Sequence, residues 1–237
     1  MTEQIKKILP YIQDHHIFKD YDFRLIGGTA LSYHLKHRLS EDLDFCRIGK
    51  LSRGVIQDFI EHCVKVYGRD KVKFIEFSQG KLLDFEINGE DILDYEQNWM
   101  INNVKVTFFD GSDKRGVKDI FETDSTTKIG NIIVSSVDAI FAMKSLMFYD
   151  RAKSRDYYDL FYMYKYDSDK YSIETTVSLI QKYEFSYRDK KGFELFLHKI
   201  KYANYSKMYD EPLVGLVDEP EEFAVLQKKM LGLLKSL

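Results

Sequence analysis

The chain has 237 residues, of which 44% are hydrophobic and 31% charged, with a formal net charge of -3. That composition suits a globular protein of one large or two small domains, and a pI near 6.1 excludes a protein that coats nucleic acid through bulk positive charge. Cys46 and Cys63 fit neither a metal-ligand spacing nor a disulfide framework, no basic-then-apolar leader opens the chain, and no window approaches the roughly 18 apolar residues of a membrane span. A cytoplasmic protein with reduced thiols and no membrane association is expected.

Ile5, Ile8, Leu9 and Ile12 recur at helical spacing and predict an amphipathic helix with one buried face. A short strand follows at Phe23 to Ile26. Gly27-Gly28 then turns the chain into a helix from about Thr29 to Lys36, with no side chain at the turn to keep a phosphate away. Ser40 to Phe45 reads as a second strand. Its alternation puts Leu43 and Phe45 on one face and Asp42 and Asp44 on the other, about 6.5 to 7 Å apart at Cα, close enough for both carboxylates to approach a magnesium ion. By itself an Asp-x-Asp is better explained as a solvated strand face; the glycine turn at a helix start, where amides and the helix dipole favour phosphate, tips the reading toward a nucleotide site.

Val55 to Tyr67 carries a second amphipathic pattern that stops at Gly68, a C-terminal cap. From Lys71 to Phe109 the periodicity predicts a β-meander: Val72 to Phe77, Leu82 to Ile87, Ile92 to Tyr95, Trp99 to Ile101 and Val104 to Phe109. Its turns fall at Ser78-Gln79-Gly80, Asn88-Gly89 and Asn102-Asn103, with Asn88-Gly89 the strongest hairpin signal. The polar stretch Asp110 to Asn131 reads as a connection and a domain boundary. Helices are predicted beyond it: one opened by a Ser135-x-x-Asp138 capping box and running to about Tyr149, then about 153 to 164, 172 to 183, 190 to 204 and 220 to 234. The expected class is α+β, with a mixed, twisted sheet flanked by helices in residues 1–131 and a helical bundle in 132–237.

Lys144 is the only basic residue of a predicted helix that is apolar or small on nearly every side, so its charge needs a partner. A structural pairing, snorkelling to solvent and a contact with substrate phosphate are all compatible with that position. Asp156 and Asp159 share a helix face at i and i+3, and Arg155 stands i, i+4 from Asp159; an ion-paired surface face explains this spacing without any function. The run from His198 to Lys207 interleaves basic and aromatic residues as an RNA-facing patch does, and equally as an amphipathic helix with buried tyrosines.

Gly27-Gly28-Thr29-Ala30-Leu31, Arg38 and Ser40-x-Asp42-x-Asp44-Phe45 together closely resemble the opening motif of the AbiEii-type nucleotidyltransferases, a branch of the DNA polymerase β-like superfamily that includes toxins of toxin–antitoxin systems. Val134 to Lys144 and Arg151 to Leu160 resemble that family's later helices, so the likeness spans about residues 20 to 165. The resemblance implies a magnesium-dependent transfer of NMP from an NTP to a tRNA or protein acceptor, and a cognate antitoxin partner. It implies Asp42 and Asp44 as metal ligands, Gly27, Gly28, Thr29, Arg38, Ser40 and Arg155 as nucleotide contacts, and Lys144, Asp156 and Asp159 as further catalytic residues. One position departs from the pattern. Where the family commonly carries a third carboxylate, this chain has Thr107, with Asp84, Glu86 and Asp110 as nearby substitutes; the departure leaves open an impaired relative that binds nucleotide, RNA or protein without transfer.

Overall fold

A computed structural model describes residues 1–184, 192–203 and 205–234. The chain divides into a sheet unit, residues 1–118 with 123–136, and a helical unit, residues 119–122 with 137–237. The elements of the sheet unit are α1 (Glu3–Ile12), α2 (His16–Asp20), β1 (Arg24–Ile26), α3 (Gly27–Leu35), β2 (Asp42–Arg47), α4 (Arg53–Tyr67), β3 (Val72–Phe74), α5 (Gln79–Ile87), β4 (Glu96–Ile101) and β5 (Val104–Asp110). Then come α6 (Val117–Glu122), which runs into the second unit, β6 (Thr127–Ile129) and β7 (Ile132–Val134). The helical unit continues with α7 (Val137–Asp150), α8 (Ser154–Tyr166), α9 (Ile173–Tyr183), α10 (Gly192–Lys201) and α11 (Phe223–Leu234).

The strands form one mixed sheet in the order β3-β4-β5-β2-β1-β7-β6. β2 runs parallel to β5 and β1 parallel to β7, while the other neighbours are antiparallel. Alternation along β2 buries Leu43 and Phe45 completely, and Phe45 stacks on Phe108 of β5 with ring centroids 5.5 Å apart. Phe18 of α2 and Phe59 of α4 close over this pair at 4.6 and 5.4 Å, so aromatic rings weld helices to one face of the central strands. The other face carries Asp42 and Asp44.

Two predicted features of the sheet unit differ from the structure. Leu82 to Ile87 alternates like a strand but forms the helix α5, because Ser78 caps its start by accepting from the Lys81 amide and Asn88-Gly89 ends it, with Gly89 at φ 69°. Asn-Gly supplies the left-handed conformation that both a tight hairpin and a helix stop require, and here it stops a helix. The hairpin of this region is the Asn102-Asn103 turn instead, with both residues at positive φ. Ile92 to Tyr95 is likewise no strand but a 3₁₀ turn over Ile92–Asp94.

β6 and β7, in a region predicted to be a connection followed directly by helices, make a hairpin through Gly130 and Asn131. Three residues of β7 were too few to show a period, and their pairing with β1 is long-range. Gly130 is required twice over: its φ is 59°, and a Cβ there would meet Asp14 Oδ1 at 2.6 Å.

The helical unit packs α7 against α8 and α9, and α11 against α8 and α10. A buried hydroxyl chain ties three segments of it together, with Thr176 Oγ1 3.2 Å from Ser145 Oγ and 2.7 Å from Tyr164 OH. The predicted capping box is not made. Ser135 Oγ is buried without a hydrogen-bond partner, and Asp138 pairs with Lys170 and accepts from Tyr171. The predicted helices over 172 to 183 and 220 to 234 are present as α9 and α11, and the one near 190 to 204 is α10 over its described residues.

Candidate functional site

The site of the sheet unit is built by one connection, β1-α3-β2, between antiparallel neighbours. Gly27 opens α3 at φ 70°, and the N-cap residue Ile26 has no side-chain oxygen to offer the first-turn amides. A Cβ added to Gly27 would lie 3.1 Å from Asp44 Oδ2, so the glycine turn sits directly against the carboxylate on β2. On Gly28 it would lie 2.5 Å from Arg38 Nη2 and 3.1 Å from Ser40 Oγ. Thr29 Oγ1 donates to the Asp42 carbonyl, which ties the helix to the strand. Thus Gly27, Gly28, Thr29, Arg38, Ser40, Asp42 and Asp44 come together in one place.

Arg38 is buried, and its backbone carbonyl accepts from Ser32 Oγ at 2.7 Å while its Nη1 donates to the Leu39 carbonyl at 2.9 Å. The guanidinium is therefore fixed beside the helix start. Ser32 was not singled out in the sequence, although its position on α3 one turn after Gly28 is what lets it hold the arginine loop. Gly28→Ala is expected to force the buried, hydrogen-bonded guanidinium of Arg38 out of its seat and to lower stability by about 1–3 kcal/mol, which urea denaturation measures.

Thr107 lies opposite Asp44 in the parallel β2–β5 register, on the same face of the sheet. Its hydroxyl donates to Asn98 Oδ1 at 2.9 Å, Asn98 Nδ2 donates to Glu96 Oε1 at 2.7 Å, and Lys81 Nζ of α5 meets Glu96 Oε2 at 2.7 Å. A hydrogen-bonded chain ending in an ion pair stands where a third carboxylate would. Burial pushes the Glu96 carboxyl up, but Lys81 and Asn98 outweigh it and hold it below the usual range. Asn98 and Glu96 were missed because the predicted strand began at Trp99. Counting back from the Asn102-Asn103 hairpin, which pairs Ile101 with Val104, would have put Asn98 opposite Thr107. Of the suggested substitutes, Asp84 and Glu86 are exposed on α5, and Asp110 lies on the opposite face from Asp44, where it accepts from the Gly49 and Ser112 amides.

In the helical unit the structure brings together Lys144, Asp156 and Asp159. Lys144 Nζ sits 2.9 Å from Asp156 Oδ1 and 2.8 Å from Asp159 Oδ2, and Arg151 Nε is 2.8 Å from Asp156 Oδ2. Lys144 is 6% exposed and the two aspartates 1% and 0%, so the surface ion-pair explanation fails: this is a buried ionic cluster. Burial drives the Asp156 carboxyl up, and Lys144 and Arg151 more than reverse it, leaving it below the usual carboxylate range. Arg155 Nε donates to the Pro212 carbonyl, and Lys153 pairs with Glu211. In the basic and aromatic run, Tyr205 is used internally, stacked on Phe223 at 4.1 Å and bonded to Asp210, whereas Tyr202 is exposed.

Among the described residues, no helix is long and apolar enough to cross a membrane. Residues 13–229 match the family of nucleotidyl transferase AbiEii toxins, type IV toxin–antitoxin system. Among solved structures, JHP933 from Helicobacter pylori shares the fold at a TM-score of 0.53 and 16% identity, over 100% of this chain and 92% of that one. MenT4, a nucleotidyltransferase toxin from Mycobacterium tuberculosis, aligns at a TM-score of 0.47 and 12% identity, over 99% and 80%. No curated protein matches the chain.

Proposed function

The chain belongs to the AbiEii nucleotidyltransferase toxin family, and from that premise we propose that it moves an NMP from an NTP to a hydroxyl of an RNA, such as a tRNA end, or of a protein. The observation that carries this reading is the seat of Gly27 against Asp44, with Asp42 on the same strand face. Two hard carboxylates beside a glycine helix start fit Mg2+ and the triphosphate it accompanies. Asp42 and Asp44 would hold the ion, which when bound neutralises phosphate charge and orients the α-phosphate.

The chain's own residues do the rest. The first-turn amides of α3, with Thr29, cradle the phosphates, and Arg38 and Ser40 fix the turn and add positive charge and a hydroxyl. The acceptor hydroxyl attacks the α-phosphorus in line; a new P–O bond forms there, the bond to the bridging oxygen breaks, and pyrophosphate leaves with its electron pair. Thr107 already donates its hydroxyl proton to Asn98 and has no carboxylate to take the acceptor's proton. From the helical unit, Lys144, Asp156, Asp159 and Arg155 are assigned to the reaction by family resemblance. Two aspartates holding one lysine support a fixed cation as their contribution. The setting we propose is cytoplasmic, with an antitoxin as the cognate partner.

The acceptor is found by incubating the protein with each α-labelled NTP, Mg2+ and total RNA or total protein, then treating the products with nuclease or protease. Label released by one treatment and not the other identifies the acceptor class. Magnesium-dependent NTP binding with no label on either fraction would overturn transfer, and would favour the binding-only reading that Thr107 raises.

A further inference from the structure

We propose that His15, His16 and Asp58 form a second cation site in the sheet unit, for a borderline transition metal such as Zn2+, on the side of the sheet opposite Asp42 and Asp44. His15 and His16 are consecutive at the start of α2, and Asp58 lies in the second turn of α4. His16 Nε2 is 2.8 Å and His15 Nε2 3.5 Å from Asp58 Oδ2, and one ligand atom from each of the three residues lies within 4.8 Å of the others. Ligands bound tetrahedrally at about 2.0 to 2.2 Å stand about 3.3 to 3.6 Å apart, so the His15–Asp58 spacing already fits, the His16–Asp58 pair opens by well under an ångström, and the two imidazole nitrogens, within 4.8 Å of each other, close to the same spacing around an ion.

The side of the sheet follows from ring packing. His15 meets Phe59 edge-on at 5.2 Å, Phe59 meets Phe108, and Phe108 stacks on Phe45, which alternates with Asp44 along β2. The two sites also differ in chemistry. Asp42 and Asp44 offer only hard oxygen, whereas two imidazoles with one carboxylate select a borderline metal over Mg2+.

The surroundings suit such an ion. Asp20 Oδ2 lies 3.6 Å from His16 Nδ1, so a His16 bound through Nε2 keeps its proton on Nδ1 facing a carboxylate, the outer-shell arrangement that fixes a metal-bound imidazole. The side chains of His16 and Asp58 are 52% and 58% exposed, which leaves room for water to complete the coordination. His15 makes one sacrifice. Its Nδ1 accepts from the Ile17 amide at 3.3 Å, and ligation through Nε2 moves the ring proton to Nδ1, so this long cap bond is given up on binding.

Calorimetric titration of the chelator-treated full chain with Zn2+, repeated in excess Mg2+, tests the site. In excess Mg2+, which fills the Asp42 and Asp44 site, one zinc is expected to bind, at least about tenfold more weakly in His16→Asn and in Asp58→Asn, and unchanged in Asp44→Asn. Half-exposed positions make both variants safe for folding, and circular dichroism checks that they are folded. Absence of zinc binding to the wild type, affinity unchanged in both His16→Asn and Asp58→Asn, or affinity lost in Asp44→Asn would each overturn the proposal.

Discussion

Asp44→Asn is expected to lower the nucleotidyl transfer rate by a factor on the order of 10²–10³ or more while leaving the protein folded. The substitution keeps the size and shape of the side chain and removes the charge at the one carboxylate against which the Gly27 turn is seated. Packing of β2 depends on Leu43 and Phe45, whose side chains point the other way, so the thermal midpoint should stay close to that of the wild type. Asp42→Asn should behave alike. Raising Mg2+ should restore part of the rate in each variant if the lost group is a metal ligand; a rate insensitive to Mg2+ would instead place the aspartates in another role.

Lys144→Met is expected to destabilise the helical unit by about 3–5 kcal/mol, because it leaves the fully buried Asp159 without the ammonium 2.8 Å away. Arg151 continues to serve Asp156. Adding Asp159→Leu should recover most of the stability, since a buried ion pair replaced by packed apolar side chains is about neutral or better. Urea denaturation of the two single variants and the double variant measures this directly. If the double variant regains stability and still fails to transfer nucleotide, the Lys144 and Asp159 pair acts in the reaction; if activity returns with stability, the role of the pair is structural.

The same cluster sets a pH dependence. The folded Asp156 carboxyl titrates below its unfolded value of about 3.9, so its contribution to stability is fully present above that pH and is lost as pH falls through the lower folded value. Acid unfolding followed by circular dichroism should therefore show a stability decline below about pH 4 that is flattened in Asp156→Asn.

The part of the sheet that carries Asp42 and Asp44 was legible because its determinants are local. Two-residue alternation in Asp42 to Phe45 sorted carboxylates from core, and Gly68 marked the end of α4 as expected, at φ 88°. Ile5, Ile8, Leu9 and Ile12 are all buried on α1. What escaped depends on partners distant in sequence. β7 earns its place only by pairing with β1 across more than a hundred residues, and α5 reads as a strand until Ser78 and Gly89 are seen to cap it. Glu96 and Asn98 have no pattern of their own; their meaning comes from standing across the hairpin from Phe109 and Thr107. Spacing placed Asp156 and Asp159 on one helix face, but their meeting with the buried Lys144 required the packed helices.

Transfer of the α-phosphoryl group as NMP by the Asp42 and Asp44 site is tested most directly by parallel reactions with NTP labelled at the α- or the γ-phosphate, in Mg2+ with total RNA and protein as acceptors. The expected result is α-label joined to the acceptor, γ-label released in pyrophosphate, and both signals lost in Asp44→Asn. Label from the γ-phosphate on the acceptor, or α-label transfer undiminished in a folded Asp44→Asn, would contradict it.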